Sequence, residues 1–206
     1  DYPDLHFNRA IVLRYTEEYG PALDGFRKAA QLDPTLPFKQ EVEAMLQVLG
    51  KLDDGCSGTG PMFKPKRLAP IQKTMEGTGH AGNEIPKSYS ARTLLEVAMG
   101  ANAGVAVNVR TVLDVTNTDL LNLHYIVVDK EGTLVALSVY GLEDGAVRQM
   151  ATLTLLNPNM REVDTEWQGR RYRFKLIRVD LPKQILVAGE MPVGRLARPR
   201  LASTNL

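Results

Sequence analysis

Along the first part of the chain, apolar side chains recur every three or four positions, the spacing of one helical face. Leu5, Ala10, Ile11 and Leu13 predict a helix from Pro3 to about Arg14, with Pro3 in the first turn, where its missing N–H costs nothing. The stretch TEEYG interrupts the pattern. Pro21 then opens a second helix carrying Ala22, Leu23, Phe26, Ala29, Ala30 and Leu32, which ends at Asp33-Pro34 because the residue before proline disfavours helix. A third helix is predicted from Phe38 to about Leu52. Phe38, Val42, Met45, Leu46, Leu49 and Leu52 form its apolar stripe, and Lys39, Gln40, Glu43, Gln47 and Lys51 face away.

Residues 55–90 lose periodicity and hold six glycines and four prolines, so 55–89 reads as a Gly/Pro-rich basic linker or a loosely held surface segment. Beyond it the period becomes two. ARTLLEVAM and GVAVNVRTVLDVT alternate; NLHYIVVDKEGTLVALSVYGL is a hairpin turning at Asp129–Gly132; ATLTLLNPNMREV is broken near Pro158. RRYRFKLIRVD follows a Gln168-Gly169 turn, and QILVAG is a short last strand. Five or six strands without a long helix favour a small closed barrel, an OB-fold first and an SH3-like barrel second. The fold class is α+β. Its expected divisions are 1–54 helical, 55–89 linker, 90–192 barrel, and a disordered tail at 193–206 with Arg195, Arg198 and Arg200.

The helical pair has a recognisable spacing. Ala10, Ala22 and Ala29, with Tyr19, Phe26 and Pro34, match one tetratricopeptide repeat, in which small residues let two helices approach and an aromatic fills the groove; a generic helical hairpin is the alternative. A single repeat cannot bury its own apolar faces, so the first three helices read as the end of a solenoid, the third as its cap, with earlier repeats upstream of Asp1.

Charge adds little. Residues 1–55 carry ten acidic and six basic side chains, a net of −4, and residues 56–206 carry fourteen and nineteen, a net of +5. The single cysteine, Cys56, excludes a disulfide framework or thiolate cluster, and no apolar run reaches membrane-spanning length. His6, His80 and His124 lack a second ligand at metal spacing, and phosphate-binding loops and nucleophile elbows are absent. No catalytic residue, cofactor or metal is therefore expected; the chain reads as a binder rather than an enzyme. Alternation in 170–178 places Arg171, Arg173 and Lys175 on one side as a bare basic row, a candidate nucleic-acid face, and Tyr172, Phe174 and Leu176 on the other as core. On the first helix, Asp4, Phe7, Asn8, Ile11, Arg14 and Tyr15 share the wall that in stacked repeats receives an extended peptide. Asp4 can pair with an arginine and Asn8 with peptide backbone, or both can cap the helix start.

The segments PDLHFNRA, EEYGPALDGFRKAAQLDP, KPKRL, IVVDKEG, VALSVYG, LNPNMREV, GRRYRFKLIRVDLP and ILVAGE resemble the C-terminal half of the tetratricopeptide repeat protein 5 family, stress-responsive activators of a histone acetyltransferase coactivator. The likeness runs from about Pro3 to Pro192 and is patchy over 70–120. It implies a repeat array followed by an OB-fold domain. It further implies a non-enzymatic adaptor that recognises the N-terminal Met-Arg-Glu peptide of nascent tubulin at the ribosome and triggers decay of tubulin messages. A second implied role is nuclear, as a transcription cofactor contacting coactivators and chromatin, so both cytoplasm and nucleus are expected. By the resemblance, Asp4 is a groove acid, and Lys64 and Lys66, with Arg67 beside them, form the ribosome-facing stretch. Implied partners are the tubulin peptide, the ribosome, and mRNA-decay adaptor or coactivator proteins. The chain departs from the family at Phe38, where a second groove acid is the rule; an aromatic can hold a methionine or aliphatic stem but cannot replace a carboxylate opposite arginine.

Overall fold

A computed structural model describes residues 2–76, 84–117 and 120–197. Three helices open the chain: α1 Pro3–Tyr15, α2 Tyr19–Leu32 and α3 Phe38–Cys56. α1 and α2 form an antiparallel pair whose seam is built from the small and aromatic residues of the repeat pattern. Ala10, Tyr19, Ala22, Phe26 and Ala29 are all buried there, and Phe7 meets Phe26 edge-to-face at 5.6 Å. A helix α4, Pro65–Glu76, follows a 3-10 turn at Pro61–Phe63.

This helix corrects the linker reading of 55–89. Pro65 opens it at the position where proline is tolerated, Pro70 sits inside it, and Leu68, Ile71 and the preceding Phe63 are buried. The glycines that suggested a linker crowd the two ends of that segment and leave its middle free to be helical.

The strands are β1 Ser90–Ala91, β2 Gly100–Ala101, β3 Val105–Asp114, β4 Leu123–Val128, β5 Leu134–Val139, β6 Thr152–Leu156, β7 Asn159–Trp167, β8 Arg170–Val179 and β9 Ile185–Val187. They form one nine-stranded sheet in the order β2-β7-β8-β5-β4-β3-β6-β9, with β1 parallel to β3. The β3–β4–β5 meander, a parallel β5–β8 neighbour and an antiparallel β7–β8 hairpin give an OB-like arrangement. The expected closed barrel of five or six strands is thus corrected on two counts. More strands form, and the ladder stays open because β2 holds only two residues against β7 before the chain turns into β3. ARTLLEVAM contributes only Ala91 to a strand, since the Asp129 carboxylate accepts the Leu94 N–H at 2.8 Å and holds the rest as a turn.

The sheet is apolar on both faces. Val107, Val109, Tyr125, Val127, Leu137, Leu153, Ile177 and Val179 fill the inner core. On the outer face Val112, Ile126, Val128, Ala136, Val163, Tyr172, Phe174 and Leu176 join one core with the helices. α3 is the seam: Val42, Met45, Leu49 and Leu52 are buried, whereas Lys39, Gln40, Glu43, Gln47 and Lys51 are exposed. β7 and β8 continue beyond the inner core as a hairpin closed by Gln168 (φ 49°) and Gly169 (φ 82°), both left-handed as a two-residue turn requires. The apolar side of that hairpin lies against α2, where the Arg27 guanidinium stacks 4.7 Å from the Trp167 ring. The tail reading is corrected in part. Ala197 N–H donates to the Gly141 carbonyl at 3.0 Å and Leu196 bridges Leu142, while 198–206, with Arg198 and Arg200, lie outside the described residues.

Close approach of α3 to the sheet depends on Gly55, where an added Cβ would stand 2.6 Å from Ile126 Cγ1 and 2.8 Å from its Cδ1. Gly55→Ala should therefore lower stability by about 1–3 kcal/mol through overpacking, offset slightly by better helix propensity. Urea denaturation followed by circular dichroism measures it; an unchanged midpoint would contradict the packing described.

Candidate functional site

The turn between α1 and α2 is fastened into the sheet by charge and hydrogen bonds. Glu17 takes a left-handed conformation (φ 64°) that carries its carboxylate inward, and it is buried. Ser138 Oγ donates to Glu17 Oε1; the Tyr140 hydroxyl lies 3.1 Å from the same oxygen and 2.9 Å from the Tyr15 carbonyl. Arg178 approaches Glu17 Oε2 at 3.5 Å and donates to the Tyr15 carbonyl at 2.9 Å and, through Nε, to Asp180 at 2.6 Å. Arg161 donates to the Thr16 carbonyl at 2.8 Å. Burial raises the Glu17 carboxyl above its ordinary 4.5, opposed by Ser138 and by the Arg178 charge. Beside them His124 is buried, and desolvation depresses its imidazole to about 4, so it is neutral at pH 7. The Asn122 amide lies 3.0 Å from His124 Nε2, and Nδ1 has no hydrogen-bond partner among the described residues.

This anchored turn fixes the direction of α1 and so decides what its other faces present. Phe7, Leu13 and Ile11 lean into the core, Arg14 pairs with Glu41 of α3, and Phe38, at the start of α3, packs partly buried against the same core. Asp4, Asn8 and Tyr15 are exposed on the flank beside Ile11. The structure thus divides the seven predicted groove residues: Asp4, Asn8 and Tyr15 are accessible, Phe7, Ile11 and Phe38 are half-buried supports, and Arg14 is committed to Glu41. No side-chain cap hydrogen bond forms at the start of α1, so Asp4 and Asn8 are not held as caps. At the C-terminal end of this face the β3–β4 loop supplies a wall through Leu120 and Leu121, which line a small cleft with Ile11, Tyr15 and His124. Glu41 and this loop were not singled out from sequence. A lone acid at a helix start and two leucines in a loop carry no periodic signal.

The basic residues differ in their commitments. Lys64, Lys66 and Arg67 stand exposed at the head of α4, outside any ion pair among the described residues; the Arg67 guanidinium lies 3.9 Å from the Met62 sulfur. The row on β8 is not bare. Arg171 makes a bidentate pair with Asp164 at 2.8 and 2.6 Å, Arg173 meets Glu162 at 3.0 Å, and Lys175 lies across from Glu162 in register. The correction follows from strand alternation on β7, which sets Glu162, Asp164 and Glu166 opposite the cations. Tyr172, Phe174 and Leu176 are buried beneath the helices, so the adjoining sheet face offers no stacking surface. His80 lies outside the described residues.

A family described as the tetratricopeptide repeat protein 5 OB fold domain matches residues 88–199, more than half of the chain. The chain is 29% identical over 199 residues to tetratricopeptide repeat protein 5 of Mus musculus and 28% over 201 residues to that of Homo sapiens. Each alignment covers 91% of this chain and 45% of the relative, so the chain spans less than half the length of the curated relatives it matches.

Removing one partner of the buried pair isolates its contribution. Arg178→Met should cost about 3–5 kcal/mol, because it strands the Glu17 carboxylate in the interior. A carboxyl whose folded value is raised binds its proton more tightly in the native state, so its contribution falls as pH rises through and above 4.5. The stability of the unmodified protein relative to Glu17→Gln should accordingly decline between about pH 4.5 and neutrality, read from urea midpoints across that range. A difference that grew with pH would reverse the assignment.

Proposed function

Because the chain belongs to the tetratricopeptide repeat protein 5 family, we propose that it serves as a non-enzymatic adaptor that receives the N-terminal Met-Arg-Glu peptide of nascent tubulin at the ribosome and sets off decay of tubulin messages. The observation that carries this reading is the open flank of α1, where the Asp4 carboxylate is exposed without a side-chain partner among the described residues. A carboxylate carried on a helix face suits the forked guanidinium of a peptide arginine, and Asn8, one turn on, suits the peptide backbone. Ile11, Tyr15 and Leu121 continue the same flank with apolar surface for the neighbouring side chains.

The cluster Lys64, Lys66 and Arg67, outside any ion pair among the described residues, supports the ribosomal half of the proposal. Cations on a helix head contact phosphates without reading sequence, and such contacts weaken with salt. Messenger-decay adaptors and coactivators are the further partners proposed, in cytoplasm and nucleus. DNA or chromatin binding by the sheet is less favoured, since its outer face is covered by helices and its basic row is paired with acids.

Fluorescence anisotropy of a labelled Met-Arg-Glu peptide on the full-length protein tests the groove. Asp4→Asn should weaken binding by about ten-fold or more, equivalent to ~1.4 kcal/mol. Unaltered affinity in that variant would sink the proposal. Independently, Lys64→Glu with Lys66→Glu should reduce salt-sensitive co-sedimentation with ribosomes while leaving peptide affinity as it was.

A further inference from the structure

β7 has a free side. β2 covers only Asn159 and Met160, and from Arg161 onward no strand pairs with that edge among the described residues. The Asn102 N–H donates to the Pro158 carbonyl at 3.1 Å, which shows that the backbone groups of residue 158 point toward β2. Alternation then turns the N–H and C=O of Glu162, Asp164 and Glu166 outward, and those of Arg161, Val163 and Thr165 toward β8. The outward groups have no hydrogen-bond partner among the described residues. A cleft of about 490 Å³ runs beside them, between Met99, the β7 edge and the start of α2 at Gly20-Pro21.

The molecule itself shows what chemistry fits against this strand. On its paired side the acids Glu162, Asp164 and Glu166 lie opposite Lys175, Arg173 and Arg171, while Val163 and Thr165 lie opposite Phe174 and Tyr172 on the buried face. A strand added on the free side meets the same alternation: carboxylates on one face, and on the other the crowded approach of α2, where an added Cβ on Gly20 would stand 3.2 Å from Thr165 Oγ1. A second copy of this chain does not satisfy it, because pairing two β7 edges sets acid against acid.

We propose that the free edge of β7 receives an extended segment of a partner protein as a further strand, bearing Lys or Arg at every second position and small apolar residues between. Main-chain bonds to Glu162, Asp164 and Glu166 supply the grip, and selection of the pattern falls to the second Glu162 oxygen and to Glu166, since Asp164 and one Glu162 oxygen already hold Arg171 and Arg173. The surface is separate from the α1 flank and does not depend on what that flank binds. Exposed edges are often blunted by charge; here the charge repels copies of the chain and admits a basic strand.

Three short labelled peptides test this against the unmodified chain by fluorescence anisotropy: alternating Arg and Val, the same residues in two blocks, and alternating Glu and Val. The alternating basic peptide should bind about ten-fold more tightly than the blocked one, and the acidic one not at all. On binding, amide hydrogen exchange should slow at Glu162, Asp164 and Glu166 and stay unchanged at Val163 and Thr165, which already face β8. Equal affinity for both basic peptides, or binding without protection of the three amides, overturns the proposal. Glu162→Lys with Asp164→Lys should abolish the preference; were that variant to unfold, exchange in the unmodified protein still decides.

Discussion

A single buried carboxylate organises the molecule. Glu17 sits at the tip of the α1–α2 turn, yet it is turned into the protein and met there by Ser138 of β5, Arg178 of β8, and Asn122 and Tyr140, which flank β4 and β5. Taking a charge out of water is costly, and only a converging set of donors makes it tolerable. Those donors occupy one place on the sheet, so the turn has one seat. With the Tyr15 and Thr16 carbonyls also claimed, by Arg178 and Arg161, the direction of both helices is set before their apolar faces are considered.

Apolar packing then makes the helices and the sheet one body. α2, α3 and α4 bury apolar side chains against the outer face of the meander, and the projecting β7–β8 hairpin meets α2 where Arg27 stacks on Trp167. A boundary between a repeat and a sheet domain is visible in the order of elements but not in the core, where Phe26, Leu49 and Ile126 belong to the same cluster. Covering this face removes the platform that a bare sheet of this kind would offer to nucleic acid, and leaves binding to flanks and edges.

Much of this architecture was legible in the chain. Helical spacing located α1, α2 and α3 to within a few residues, and alternation located β3, the β4–β5 hairpin and the β7–β8 pair with its Gln168-Gly169 turn. What escaped was set by partners distant in sequence. α4 is interrupted by Pro70 and flanked by glycines, so its local signal is poor; it forms because Leu68 and Ile71 find a hydrophobic seat. The strand pattern of ARTLLEVAM yielded to the Asp129 side chain, which accepts backbone N–H groups from Leu94, Glu131 and Thr133. Of the candidate site, Asp4, Asn8, Lys64 and Lys66 could be singled out by type and spacing. The role of Glu17 could not, since a turn glutamate ordinarily faces water and only the fold reveals four strangers waiting for it.

The burial of Leu68 and Ile71 against the core that seats α2 and α3 has a mechanical meaning. Lys64 and Asp4 ride on elements locked to one scaffold, with no slack tether between them. Two contact points joined by a floppy chain behave like a spring and adapt to many spacings; joined by packed secondary structure they behave like a calliper. A large assembly offering matching features at the wrong separation would then engage one jaw or the other, never both, and avidity itself would become a measurement of distance.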